Sequence, residues 1–245
     1  MSLGHGPTIV RDGLVLHLDA ANPKSYPGTG STWYDLTRNG NDGALLDGTF
    51  YSNINLGSMT FDGVDDSVNV EDSVSLNVQS SLTLSAWVRL EILEDNLYPC
   101  VFRKGHGYNS SGSTTDQYGL WLWRGGLSAS GVGFRIVDTT DTMRSINSNI
   151  DNNNIINKWI MITATYQSGN GTKMRIFYDS VLVREVNFDG NYQIKTTNGS
   201  LRIGNMNNFS MPFGGQISCS MLYNRSLSPT EIQQNFNALR GRFGI

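Results

Sequence analysis

Between Leu82 and Val88 the chain reads Leu-Thr-Leu-Ser-Ala-Trp-Val, an alternation of apolar and polar residues. A period of two marks a half-buried strand, because successive side chains point to opposite faces of a sheet. An Asp62-Gly63 turn comes shortly before it. Similar short runs recur at Gly13–Asp19, Ser58–Phe61, Ser67–Val70, Leu82–Leu90, Pro99–Lys104, Tyr118–Arg124 and Val132–Val137. They continue at Met143–Ile146, Trp159–Tyr166, Lys173–Tyr178, Val181–Phe188, Ser200–Ile203 and Gly215–Tyr223. Ser168-Gly169-Asn170-Gly171 and Asp179-Ser180 are placed to close hairpins. So many short strands at this spacing predict an all-β jelly-roll sandwich of two antiparallel sheets.

One helix is predicted near the end of the chain. Ser228-Pro229-Thr230-Glu231 is a capping box with proline in the first turn, and Ile232, Phe236 and Leu239 follow at helical spacing. Gly241 is placed to stop that helix. With no Pro/Gly/Ser linker and no repeat, residues 8–245 read as one domain behind a flexible lead, residues 1–7. The long segment 20–43, with Gly28, Gly30, Gly40 and Gly43, reads as a loop.

Composition narrows the partners. A net charge of −3 with scattered basic residues offers no phosphate-binding stripe, which argues against nucleic acid. No apolar run approaches the roughly 20 residues that span a bilayer, and the first residues lack the pattern of a signal peptide. Cys100 and Cys219 read as two unrelated strand thiols, with a bridge as the alternative.

Catalytic patterns are thin. Gly28-Thr29-Gly30 lacks the Gly-Lys-Ser/Thr ending of a phosphate loop, and no Gly-x-Ser-x-Gly elbow exists. The histidines are His5, His17 and His106, and His17 reads as an ordinary polar-face residue beside Asp19. Glycoside hydrolysis needs two carboxylates roughly 5–9.5 Å apart in one cleft. Glu71, Glu91, Glu94, Glu185 and Glu231 form no such run.

Residues 14–36, Leu-Val-Leu-His-Leu-Asp-Ala-Ala-Asn-Pro-Lys-Ser-Tyr-Pro-Gly-Thr-Gly-Ser-Thr-Trp-Tyr-Asp-Leu, open an ordered set of motifs. Asn39–Gly43, Phe61–Asp66, Leu84–Val88, Trp159–Tyr166, Gly215–Ile217 and Leu222–Ser228 continue it. The set resembles the laminin-G-like branch of the concanavalin A-like lectin/glucanase superfamily. Two positions depart from that pattern: Ser220, where the family often has a hydrophobic residue, and Ser180, where it has a turn glycine. The glucanase branch's catalytic run is absent, so the resemblance implies a non-enzyme.

The Asn22–Gly28 segment also resembles virion surface proteins of tailed bacteriophages. That resemblance implies a capsid decoration or fibre subunit on the virion surface, made in the host cytoplasm, with other capsid or tail proteins as partners. Cell-surface glycans and a homo-oligomer complete the expected partners. A carbohydrate-binding module or adhesin is the alternative, and a glycoside hydrolase or lyase a weaker third.

Related modules hold Ca²⁺ by loop oxygens, which makes Asp35, Asn39, Asn41, Asp65 and Asp66 candidate metal ligands. The plainer expectation is that these residues cap turns. Trp121 and Trp123 share one face of a strand and are candidate sugar-stacking residues. Core or inter-sheet packing is the plainer role for them, while Trp33, Trp87 and Trp159 read as core. The Asn-x-Ser/Thr sites at Asn109, Asn170, Asn198, Asn208 and Asn224 read as by-products of Asn-rich turns.

Overall fold

A computed structural model describes residues 7–92, 98–108, 114–124, 130–150, 155–169, 171–206 and 211–245. Among the positions named above, Asn109, Asn170, Asn208, Glu94, the side chain of His106 and residues 1–6 lie outside the described residues.

Two antiparallel eight-stranded sheets enclose one core, as the alternation predicts. The first sheet begins with Val181–Phe188 (β14), Thr172–Tyr178 (β13), Trp159–Gln167 (β12) and Ser81–Ile92 (β7). It continues with Gly214–Tyr223 (β16), Ser58–Asp62 (β5) and Phe50–Ser52 (β4), and Leu14–Asp19 (β1) also pairs with β16. The second sheet begins with Met143–Ile150 (β11), Ser130–Val137 (β10), Thr114–Arg124 (β9) and Cys100–Tyr108 (β8). Leu201–Ile203 (β15), Ser67–Val70 (β6), Gly43–Leu46 (β3) and Thr32–Trp33 (β2) complete it.

The run that opened the sequence does what its period demands. Leu82, Leu84, Ala86 and Val88 enter the sandwich core, and Trp87 points the other way into a second apolar cluster. Burial of each Leu or Val contributes about 1.5–3 kcal/mol.

That second cluster forms because the helix Pro229–Leu239 (α1) covers the outer face of the first sheet. The capping box is complete, with Ser228 Oγ accepting from the Glu231 N–H and the Glu231 carboxylate accepting from the Ser228 N–H at 2.8 Å. Ile232, Phe236 and Leu239 pack beside Trp87, Met161 and Met221. The stop is not Gly241. The chain tightens into a 3-10 turn over Arg240–Phe243 and ends at Gly244, whose φ of 73° is left-handed. The extra turn lays Phe243 on Trp87, with ring centres 4.3 Å apart.

Other expectations change with the structure. The segment read as a long loop contains β2 and runs into β3 at Gly43, and β4 follows; strands of two to four residues are too short to show a period. Trp33 is sandwich core, whereas Trp159 is half-buried against Phe243 at 4.7 Å, outside that core. Both cysteines are buried and free, on different sheets. Ser180 occupies the left-handed region, φ 70°, beside Asp179 at φ 45°, and this strained pair closes the β13–β14 hairpin. Ser220 is fully buried, and its hydroxyl has no partner.

Candidate binding site: a tryptophan platform and an acidic turn

Trp121 and Trp123 do not pack between the sheets. On β9 the core-facing residues are Tyr118, Leu120 and Leu122, so the two tryptophans stand on the outer face, half-buried. Strand register then decides what lies beside them. Trp121 is opposite Gly133 and Trp123 opposite Gly131 on β10. A Cβ at Gly133 would fall 2.2 Å from the Trp121 ring; one at Gly131 would first strike the Ser148 carbonyl oxygen of β11 at 1.7 Å and would also lie 2.8 Å from the Trp123 indole nitrogen. The two glycines therefore let both rings lie low across the neighbouring strand.

Charged residues border the rings. Arg135 places its guanidinium 5.1 Å from the centre of the Trp121 ring, a cation–π distance. Its Nη2 pairs with the fully buried Asp116 at 3.0 Å. Arg103 donates to both oxygens of that same carboxylate, with Nε at 2.8 Å from Oδ1. Beside Trp121, Tyr98, Arg103, Arg135 and Met211 line a groove of about 170 Å³. The arrangement offers apolar ring surface beside fixed cationic donors, a combination suited to stacking on a sugar. Both Asp116 oxygens are thus taken up by guanidinium donors.

The five candidate metal ligands separate into two groups. Asp35 accepts from the N–H groups of His17 and Thr37 through Oδ1, at 2.9 and 3.0 Å. Its Oδ2 takes the Thr37 hydroxyl at 2.5 Å and the Asn41 N–H at 3.1 Å. Asn39 and Asn41 both donate to the Val15 carbonyl, at 3.0 and 2.7 Å. These three residues are committed to tying the loop onto β1.

Asp65 and Asp66 instead gather with Asp62, each offering a carboxylate oxygen within 4.8 Å of the others. Asp66 is 3% exposed; its Oδ2 accepts from the Asp62 N–H at 2.8 Å, and its Oδ1 has no partner. Burial, and then the neighbouring Asp62, Asp65 and Asp47 charges, push its pKa up; a backbone hydrogen bond opposes them. A hard cation would reverse that repulsion, and the oxygen set fits one.

His17, Asp19 and Cys219 also come within 4.8 Å, across the β1–β16 ladder. They make a poor metal site. Both Asp19 oxygens are held by Arg242, and burial pushes the Cys219 thiol well up. Burial likewise lowers the His17 pKa, against the opposing Asp19 charge.

A family model for the concanavalin A-like lectin/glucanases superfamily, of the third laminin-G type, matches residues 62–233 of the 245. The chain belongs to that superfamily. No curated protein gave a significant match. Among solved structures, the binding domain of Paraclostridial Mosquitocidal Protein 1 aligns with TM-score 0.70 at 16% identity, over 92% of this chain and 52% of that one. The receptor binding domain of botulinum neurotoxin C/D mosaic serotype aligns with TM-score 0.68 at 13% identity, over 91% and 51%. The ligand binding domain of botulinum neurotoxin serotype D, in complex with N-acetylneuraminic acid, aligns with TM-score 0.67 at 14% identity, over 92% and 50%. This superfamily member thus spans about half the length of the structures it matches, and at these identities the likeness shows the fold alone. The neighbours are binding domains, not catalytic ones.

Sequence reasoning missed Asp62, the Arg103–Asp116–Arg135 network and the glycines beside the tryptophans. The Trp-x-Trp spacing was visible; its partners depend on cross-strand register, which spacing along one strand does not carry.

Proposed function

We propose that this superfamily member is a non-catalytic recognition module that binds a glycan on Trp121 and Trp123, assisted by Arg103 and Arg135. The observation that carries the reading is the pair of rings laid over Gly131 and Gly133 on the outer face of the second sheet. The helix covers the other sheet. Two of the candidate glutamates are already engaged: Glu91 pairs with Arg89, and Glu185 with Arg175 and Lys173. A Ca²⁺ ion held by Asp62, Asp65 and Asp66 is part of the proposal, as a brace for the β5–β6 turn rather than a contact to the sugar.

We propose further that the module is displayed on a tailed-phage virion as a capsid decoration or fibre subunit, in a homo-oligomer. Support for this comes from the sequence resemblance of Asn22–Gly28. A freestanding carbohydrate-binding module or adhesin is the second reading, favoured by neighbours that are toxin binding domains.

A glycan array tests the core claim. The wild-type chain is expected to bind a subset of glycans, and Trp121→Ala/Trp123→Ala to lose about 5- to 150-fold in affinity, as two ring contacts of about 0.5–1.5 kcal/mol each imply. Repeating the array in EGTA separates the Ca²⁺ element. No binding in either condition would sink the glycan reading, and absence of the chain from purified particles would sink the virion reading.

A further inference from the structure

A second cleft, of about 590 Å³, opens at the outer side of β1, between the N-terminal segment and the loop that follows β1. Its character differs from the tryptophan platform. Arg11, Lys24 and Arg38 line it, joined by His17, Asn22 and Leu36. The three cations are exposed and come from three separate stretches of chain, and among the described residues none pairs with a carboxylate.

Of two acids close by, one is charge-paired within the fold and the other has both oxygens occupied by neutral donors. Asp19 is matched by a two-pronged Arg242 contact, and Asp35 is saturated by four donors. His17 lines the same cleft, is 9% exposed, and has a buried Nε2 with no hydrogen-bond partner. That nitrogen is sealed from solvent, so the imidazole meets a ligand only through the small part of the ring that stays accessible.

The cleft is large enough for more than a bare ion. Pockets of roughly 300–1,000 Å³ take small organic ligands, and Leu36 gives this one an apolar side. Two arginines present forked donors that match the paired oxygens of a sulfate or phosphate ester.

We propose that this cleft binds a saccharide unit carrying a sulfate or phosphate ester, with the ester oxygens on Arg11, Lys24 and Arg38, the His17 imidazole on the same anion, and the sugar ring against Leu36. The saccharide part rests on the glycan-binding reading, whereas the anion part stands by itself. The chain then carries two recognition sites on different faces, one reading ring surface and the other charge.

Calorimetric titration tests this with four probes: oligosaccharides of a sulfated galactan, the same material after chemical desulfation, galactose 6-phosphate, and inorganic sulfate. Wild type is expected to bind the sulfated oligosaccharide or the sugar phosphate at least tenfold more tightly than the desulfated material, and more weakly as salt rises. Arg11→Ala/Arg38→Ala is expected to lose at least tenfold while melting as wild type does, since both side chains are exposed. The imidazole ¹⁵N resonances of His17 are expected to shift on addition of the acidic probe. Equal binding of sulfated and desulfated material, unchanged affinity in the arginine variant, or an unmoved His17 signal would overturn the proposal. So would inorganic sulfate binding as tightly as the saccharide. Trp121→Ala/Trp123→Ala separates the two sites: loss of neutral glycans with acidic binding retained is the expected pattern. If that variant binds every glycan as wild type does while the arginine variant loses the acidic ones, the platform reading fails and this one stands.

Discussion

At the scale of single residues, the two departures from the family pattern behave differently. Ser180 takes a left-handed conformation that a glycine would adopt without strain, and its hydroxyl donates to Gln233 at 2.9 Å in partial compensation. Ser220 has no such compensation. It lies opposite Leu18 and Ala86, fully buried, with an unpartnered hydroxyl. Ser220→Ala removes the unmet polar atom at little cost in packing, so it is expected to stabilise the fold by about 1 kcal/mol. Thermal melting would show a rise of roughly 2–4 °C, and a lower midpoint would contradict this. These residues also mark what a sequence can convey. Trp121 and Trp123 were visible as a pair because i and i+2 share a face of any strand. Their exposure was not, because an outward aromatic and a core aromatic look alike along the chain. Asp116 and its two arginines lie on three adjacent strands, 13 and 19 positions apart, so only register brings them together.

At the scale of elements, long strands were legible and short ones were not. β7 announces itself over twelve residues. β3 does not, since it opens with Gly43, where a Cβ would strike Val68 at 2.5 Å. The helix start was legible because a capping box is local chemistry; its end was not, because the extra turn is held by Phe243 packing on Trp87 and Trp159. Glu231 makes the helix start sensitive to acid. Its hydrogen bonds to the Arg225 guanidinium, followed by those to Ser228, lower its pKa to about 2 from an ordinary value of 4.5. A folded-state pKa below the unfolded one stabilises fully above the unfolded value, and that stability fades as pH falls from 4.5 towards 2. Glu231→Gln is expected to cost on the order of 1 kcal/mol at pH 7, after allowance for solvent screening. Urea titrations at pH 7, 4 and 2.5 should show the gap to wild type narrowing with acidity. A gap of constant size would rule out the ionised carboxylate as its source.

At the scale of the whole molecule, the two faces of the sandwich are unequal: the first sheet is covered by the helix and the 3-10 turn, and the second bears the tryptophan platform. The stretch before β1 is fastened to the covered side. The Val10 N–H donates to Asn235 Oδ1 at 2.8 Å, and the Tyr223 hydroxyl donates to the Val10 carbonyl at 3.0 Å. The thiols report on this packing. Burial pushes Cys100 up to about 12 and Cys219 well above its ordinary value, so neither ionises in the native state at neutral pH. Labelling with a disulfide reagent at pH 8 is expected to proceed only as fast as the molecule opens, and reductant should leave the melting temperature unchanged. Rapid labelling of the folded protein would contradict the assignment of both thiols to closed interiors. The tryptophans divide along the same lines. Trp33 and Trp87 are sealed in two separate interiors, Trp159 is half-buried against Phe243, and Trp121 and Trp123 alone border the proposed sugar surface. A ligand settling on that surface would therefore change the emission of two fluorophores out of five, so that the protein carries its own optical reporter of occupancy without any added dye.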